Sequence, residues 1–493
     1  MFESAELGRK LDKKTFDARE PEVREALLDA QLRLKESNSS ALIVIAGAEG
    51  AGKGDTVNLL LDWMDSRGIE THALGGPSEE EVERPEYFRY WRRLPPAGSM
   101  SIFFGSWYTR PISQHSLGNL DEADFEDGLR RIVDFERMLA DNGILLIKLW
   151  LHVTKDQQKQ RFKKLSRKSD TAWRVTKRDW AYHRTYDQFV LSASRAIRRT
   201  DRAHASWHLI EAHDARYRNL KVAETVLESI ETHLEDAAQP QPTNGNNGAP
   251  VPAPVNIIST LDLSQAVEPD DYGRELKTRQ LNVGRLSRDL LKRKRSAVIV
   301  FEGMDAAGKG GCIRRLTQSI DARTYRVIPI AAPTDEERAH PYLWRFWRQL
   351  PRWGHITIYD RSWYGRVLVE RIEGLVASAG WRRAYAEINA FEEQLTSSGV
   401  LVLKFWLATS KEEQLRRFKD REERGYKRYK ITDEDWRNRE KWDGYIAAAC
   451  DMIERTSTEI APWTLVEAND KYHARLKVLR TVEAGLERAL DGS

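Results

Sequence analysis

A chain of 493 residues is long enough for two or three domains with sizeable cores, and 41% hydrophobic with 31% charged residues at a mean hydropathy of -0.62 describes a soluble globular protein. The formal net charge is only +4, so a polyanion must be met by local clusters of cations and not by a global field. No apolar run approaches the ~18 residues of a membrane helix, and Cys312 and Cys450 are too few for a disulfide framework or a zinc site, so no membrane and a reducing, cytoplasmic compartment are expected.

In chain order, Met1-Phe2-Glu3-Ser4 leads into mixed charges, and no secretory signal is expected there. Residues 1–39 hold a densely charged helical pattern. The apolar run Ala41-Leu42-Ile43-Val44-Ile45 reads as a buried strand, and Gly47-Ala48-Glu49-Gly50-Ala51-Gly52-Lys53-Gly54-Asp55 follows it. Further strands are predicted at 71–75, 99–104, 144–152 and 207–211. The uncharged stretch from Ala237 to Leu261 carries Pro240, Pro242, Pro250, Pro252 and Pro254 around Asn244-Gly245-Asn246-Asn247-Gly248, the composition of a linker.

After it the pattern repeats at an offset of 256 residues. A charged helical stretch at 262–296 answers residues 1–39, and strands are predicted at 297–302, 326–331, 355–360, 400–408 and 463–467. Helices are predicted between them, including 381–396 and 411–424. Ser106-Trp107-Tyr108 matches Ser362-Trp363-Tyr364, Lys148-Leu149-Trp150 matches Lys404-Phe405-Trp406, and Trp180 and Trp207 match Trp436 and Trp463. So many Trp and Arg in register mean a duplicated domain: 1–236, a linker at 237–261, and 262–493. Strands alternating with helices predict an α/β fold, a parallel sheet between helices in each copy, with ligands beyond the carboxyl ends of the strands.

Gly303-Met304-Asp305-Ala306-Ala307-Gly308-Lys309-Gly310-Gly311 stands between the run Ala297–Phe301 and an opening helix. Strand, glycine-rich turn and helix make a phosphate cradle: inward backbone N–H groups, the positive helix end, and a mobile charge on Lys309. Gly303, Ala306, Ala307, Gly308, Lys309, Gly310 and Gly311 are the predicted phosphate-binding residues. Gly310 and Gly311 replace the usual hydroxyl residue, so Mg²⁺ must find other ligands, Asp305 first among them. Asp360 ends the third strand, where a metal-binding carboxylate is expected, and Arg361 and Arg366 flank it with planar donor forks. Arg416-Arg417-Phe418-Lys419-Asp420-Arg421, continuing to Lys427-Arg428-Tyr429-Lys430, occupies the place of a lid over the transferring group, although an ordinary charged helix would read the same way. Arg345 and Arg348 are candidates for a nucleotide phosphate, while Leu343, Phe346, Trp347 and Leu350 have the spacing of a core-facing stripe.

These residues resemble the polyphosphate kinase type 2 family, P-loop kinases related in fold to thymidylate kinase. The likeness rests on the Gly303–Gly311 loop with its double-glycine ending, on Asp360-Arg361-Ser362-Trp363-Tyr364-Gly365-Arg366, and on the basic lid. It implies two tandem P-loop kinase-like domains, each a five-stranded parallel sheet with a helical lid. By the same resemblance the two-domain members make ADP from AMP with inorganic polyphosphate as donor. Asp305 and Asp360 would handle Mg²⁺ and the acceptor phosphate, Lys309 and Arg361 the phosphates, and Arg417 and Arg421 would act from the lid.

The offset also separates the copies on chemistry. Asp360 becomes Phe104, Arg361 becomes Gly105, and Asp305 becomes Glu49, whose extra methylene moves an oxygen by about an ångström. The first copy is therefore expected to transfer no phosphate. Its lid, Lys155–Arg184, has eleven Lys/Arg and three acids, against eleven and nine over Lys411–Glu440, which suggests a retained polyanion-holding role beside the alternative of a solvated basic face. Three other readings stay open: an ATP-dependent nucleoside monophosphate kinase, phosphorylation of nucleoside diphosphates by polyphosphate, and a nucleic-acid-binding protein, which the low net charge argues against. An internal pseudo-dimer and a homo-oligomer are both compatible with the repeat.

Overall fold

The structure, a computed structural model, describes residues 1–238, 256–423 and 433–491. The chain forms two compact units, one of Met1–Pro77, Arg89–Gly245 and Pro333–Trp344, the other of Ser78–Phe88, Asn246–Ala332 and Arg345–Ser493. The predicted linker lies mostly outside the described residues, as do Lys427, Arg428, Tyr429 and Lys430.

In the first unit β1 (Ser40–Gly47), β2 (Ile69–Ala73), β3 (Met100–Phe104), β4 (Ile144–His152) and β5 (Trp207–Glu211) form a five-stranded sheet in the order β2-β3-β1-β4-β5. The second unit repeats it with β6 (Ser296–Gly303), β7 (Tyr325–Pro329), β8 (Ile356–Asp360), β9 (Val400–Ala408) and β10 (Trp463–Glu467) in the order β10-β9-β6-β8-β7. Every pairing in both sheets is parallel, as the alternation of strands and helices predicts. Parallel strands need crossovers, and the crossover helices cover both faces. That is why β1 and β6 read as continuous apolar runs. β2 begins two residues earlier than the expected 71–75, because the 3₁₀ turn Ser66–Gly68 feeds straight into it.

The charged patterns ahead of each sheet are helices, Lys13–Lys35 capped by Asp12 and Pro269–Lys292 with proline in its first turn. Each packs with the helix that closes its unit, Ala215–Ala238 and Lys471–Asp491, on the apolar core of its sheet. No helix among the described residues is long and apolar enough to cross a membrane.

Register places the chemistry. β6 pairs with β8 so that Phe301 stands opposite Asp360, and with β9 so that Glu302 stands opposite Trp406. The carboxyl end of the central strand, its loop and the end of β8 therefore open at one edge, where such sheets bind ligands.

Candidate phosphate-transfer site

In the second unit the loop after β6 ends in Gly308, a left-handed residue at φ 109°, and helix Lys309–Thr317 begins at once. Gly303 admits no side chain, because a Cβ there would stand 2.5 Å from the Leu407 carbonyl oxygen. Lys309 Nζ donates to the carbonyl oxygens of Gly303 at 2.6 Å and Met304 at 3.2 Å. Burial, reinforced by the Arg361 charge, lowers the Lys309 pKa against the pull of Asp305, Asp360 and Glu302.

Asp305 is clamped through both oxygens, by Arg361 Nη2 at 2.6 Å and Asn438 Nδ2 at 2.8 Å. Burial pushes its carboxyl up, yet the charges of Lys309 and Arg361 and the two hydrogen bonds outweigh burial and hold it below its ordinary value. Arg361 takes up a left-handed backbone at φ 65°, rare for a side chain of its size, directly after Asp360. Such strain persists only where its surroundings fix it; here the Arg361 N–H donates to Phe301 O at 3.0 Å and its guanidinium to Asp305.

Glu302, Asp305, Arg361, Leu368, Trp406 and Asn438 are among the residues lining a cleft of about 60 Å³. Glu302 lies buried at the strand end and accepts from Ser362 Oγ at 2.8 Å; burial raises its pKa against the Lys309 charge.

The other predicted residues are placed less uniformly. Arg417 gives its guanidinium to the carbonyl oxygens of Ala306, Ala307, Ala468 and Asn469 at 2.6–3.0 Å and to Glu413, so it braces the loop from below. Arg421 lies further along the same helix, Lys411–Glu423, and Arg366 pairs with Glu370 at 3.0 Å. Arg345 lies 5.5 Å over the Phe346 ring and Arg348 is exposed just after the short helix Trp344–Trp347, whereas Leu343, Phe346, Trp347 and Leu350 are buried. Asp360, Arg366, Arg417 and Arg421 are not in the lining of the cleft among the described residues. Gly310 and Gly311 open the helix, and the Arg475 guanidinium lies 3.4 Å from where a Gly311 Cβ would stand.

Glu302, Asn438 and Arg475 escaped sequence reasoning. Glu302 was legible, because the 256-residue offset sets it against Ala46. Asn438 sits in helix Asp433–Glu440 with no motif around it, and Arg475 arrives from the closing helix; only the fold brings them in.

The first unit keeps the loop and changes its contents. Lys53 Nζ donates to Gly47 O at 3.0 Å, much as Lys309 does, and pairs with Glu49 at 3.2 Å. Asp55 takes the place of Gly311 in the first turn of helix Lys53–Trp63, and its carboxylate holds Arg161, the counterpart of Arg417, at 3.0 Å. A carboxylate thus stands at the helix end that would otherwise receive phosphate.

Comparison with known proteins agrees with this geometry. The family model for polyphosphate kinase 2 matches residues 10–238 and again 266–491. A polyphosphate:AMP phosphotransferase of Pseudomonas aeruginosa is 51% identical, over 99% of both chains, and one of Pseudomonas syringae pv. tomato is 49% identical, again over 99% of both. The solved structure of a polyphosphate kinase 2 from Pseudomonas aeruginosa matches at a TM-score of 0.90 with 49% identity, covering 100% of each chain.

Proposed function

The chain belongs to the polyphosphate kinase 2 family, and we propose that its second copy moves the terminal phosphoryl group of inorganic polyphosphate onto AMP. A phosphate oxygen of AMP attacks the terminal phosphorus, the bond from that phosphorus to the next bridging oxygen breaks, and ADP leaves with a chain one unit shorter. The observation that carries this reading is the loop itself: Lys309 is held against the carbonyl oxygens of Gly303 and Met304 at the start of its helix, with Arg361 bound to Asp305 across the cradle. Such transfer needs little covalent help from the protein and much positioning and charge.

Lys309 and the opening turn of its helix hold phosphate oxygens of the donor, and Arg361 covers the charge that spreads over the transferring group. Arg361 can swing from Asp305 to phosphate because Asn438 keeps the other carboxylate oxygen in place. Arg417 and Gln414 hold the loop itself, Gln414 by donating to Asp305 O at 3.0 Å.

The donor set fits Mg²⁺. Among the described residues no group of three or more His, Cys, Asp or Glu could hold a metal. Mg²⁺ characteristically takes one or two carboxylates and completes its shell with substrate phosphates and water. Asp305 and Asp360 would supply those carboxylates, and the ion when bound neutralises phosphate charge.

The first copy, with Phe104, Gly105, Ala46 and Asp55 at the corresponding places, transfers nothing. The deciding experiment is AMP, polyphosphate and Mg²⁺ without ATP, followed by detection of ADP. ADP that forms and disappears on chelation is expected; ADP only when ATP replaces polyphosphate would make the protein an ordinary nucleoside monophosphate kinase.

A further inference from the structure

At the place that is a cleft of about 60 Å³ in the second unit, the first unit holds one of about 410 Å³. The two are one site met twice: Ala46 answers Glu302, Gly105 answers Arg361, Tyr182 answers Asn438 and Phe189 answers Tyr445. The exchanges that removed the carboxylate and the guanidinium opened the space and left it apolar. Gly105 keeps it open, since at its φ of 87° a Cβ would stand 2.6 Å from the Leu74 carbonyl oxygen.

The walls are rings. Phe104, Trp150, Phe189 and Tyr108 line the cleft with Leu74 and Ile112, and Trp150 and Phe189 stack at 5.9 Å between centroids and 23° between planes. The polar groups are few, among them Lys53, Glu49, Thr109, Ser113 and Gln158. Lys53 and Glu49 neutralise each other at 3.2 Å, and Gln158 spends its amide on Glu49 O at 2.9 Å. A phosphorylated ligand would meet an added carboxylate, Asp55, at the helix end where the second copy has Gly311. Ring faces within a neutral rim select flat aromatic molecules, and the volume lies in the range of about 300–1,000 Å³ typical of small-molecule sites.

We propose that this cleft binds a flat aromatic molecule that carries no phosphate, either a heterocycle of nucleoside kind or a plain arene. The test uses the full chain, with 2-naphthol as probe in equilibrium dialysis and adenosine and AMP as competitors. Saturable binding with a Kd below about 1 mM is expected, weakened at least about tenfold by Ala46→Phe and by Ser113→Trp, which fill the cleft from β1 and from helix Thr109–Ser116. Displacement by adenosine and not by AMP assigns a heterocycle; displacement by neither assigns an arene. Displacement by AMP as strong as that by adenosine, or binding that both variants leave unchanged, overturns the proposal. Unfolding midpoints show whether each variant is folded. The methyl resonances of Leu74 and Ile112 in unmodified protein provide a check that needs no variant: shifts that fail to follow the probe titration sink the idea.

Discussion

Glu136 in the first copy and Glu392 in the second are buried acids with the same company. Each accepts from a Trp indole (Trp107 at 3.0 Å, Trp363 at 3.1 Å), from a Tyr hydroxyl (Tyr108 at 2.7 Å, Tyr364 at 2.6 Å), and from a strand lysine, Lys148 or Lys404, at 2.7 Å. Each lysine also donates to a threonine carbonyl, Thr200 or Thr456. Asp360 and Arg361 stand immediately before this shared network, and there the copies part: Phe104 and Gly105 have no counterpart chemistry. Ser-Trp-Tyr therefore belongs to the scaffold, and the proposed reaction chemistry falls on the two residues preceding it. A motif that looks catalytic as a whole divides at one peptide bond.

The largest expected effect tests that division at the second copy. Asp360→Asn should lower kcat by about a thousandfold, ~4 kcal/mol, without moving the unfolding midpoint, if the carboxylate serves the reaction. Turnover left essentially intact would erase the distinction between the copies. The scaffold side is tested by Glu136→Gln and Glu392→Gln. Each strands a lysine that is fully buried, so each should cost roughly 3 kcal/mol or more, and by similar amounts, in the unfolding free energy of its own unit. No cost in either variant would mean the network is not part of the scaffold, and a cost confined to one would make it scaffold in that copy alone.

How much of this was legible beforehand follows the same line. The glycine loop, the parallel sheet implied by alternation and the loss of Asp360 and Arg361 all lie within short windows, and a constant offset exposes them. The lysine within each fourth strand, Lys148 or Lys404, showed in the sequence only as a match across the repeat; its partner is twelve residues upstream on a helix, and nothing local pairs them. Arg417 read as a lid cation because of its neighbours, whereas four carbonyl oxygens from the cradle loop and from the residues after β10 claim it. The assignment of Ser78–Phe88 to the second unit, and of Pro333–Trp344 to the first, lies beyond any reading of a gapless repeat, because an offset identifies equivalent segments without saying which core they join.

Gly311→Asp writes the first copy's Asp55 into the second copy's cradle. The new carboxylate would meet Arg475, whose guanidinium lies 3.4 Å from the Cβ position, and would compete with phosphate for the helix end. The KM for polyphosphate should rise about tenfold, ~1.4 kcal/mol, with a smaller change in kcat. An unchanged KM would mean that Asp55 is incidental to the first copy's state.

The smallest effect concerns the basic surface of the first copy. Lys163, Lys164, Arg167 and Lys168 are exposed at the end of helix Lys155–Ser166 and just beyond it, within a stretch that keeps its cations and has few acids. If that surface gathers polyphosphate, replacing all four by glutamine should raise the apparent KM for long chains by about twofold to threefold at low salt. The effect should fade as ionic strength shortens the screening length towards about 8 Å. Short chains bound at the second copy's cradle should be indifferent to the change. An equal shift for short and long chains would mean the substitutions act through the fold, and no shift for either would leave the surplus charge as plain solvation. The contrast between chain lengths is the sharper measure, because exposed charges have small individual effects and only a ligand long enough to touch several of them sums those effects.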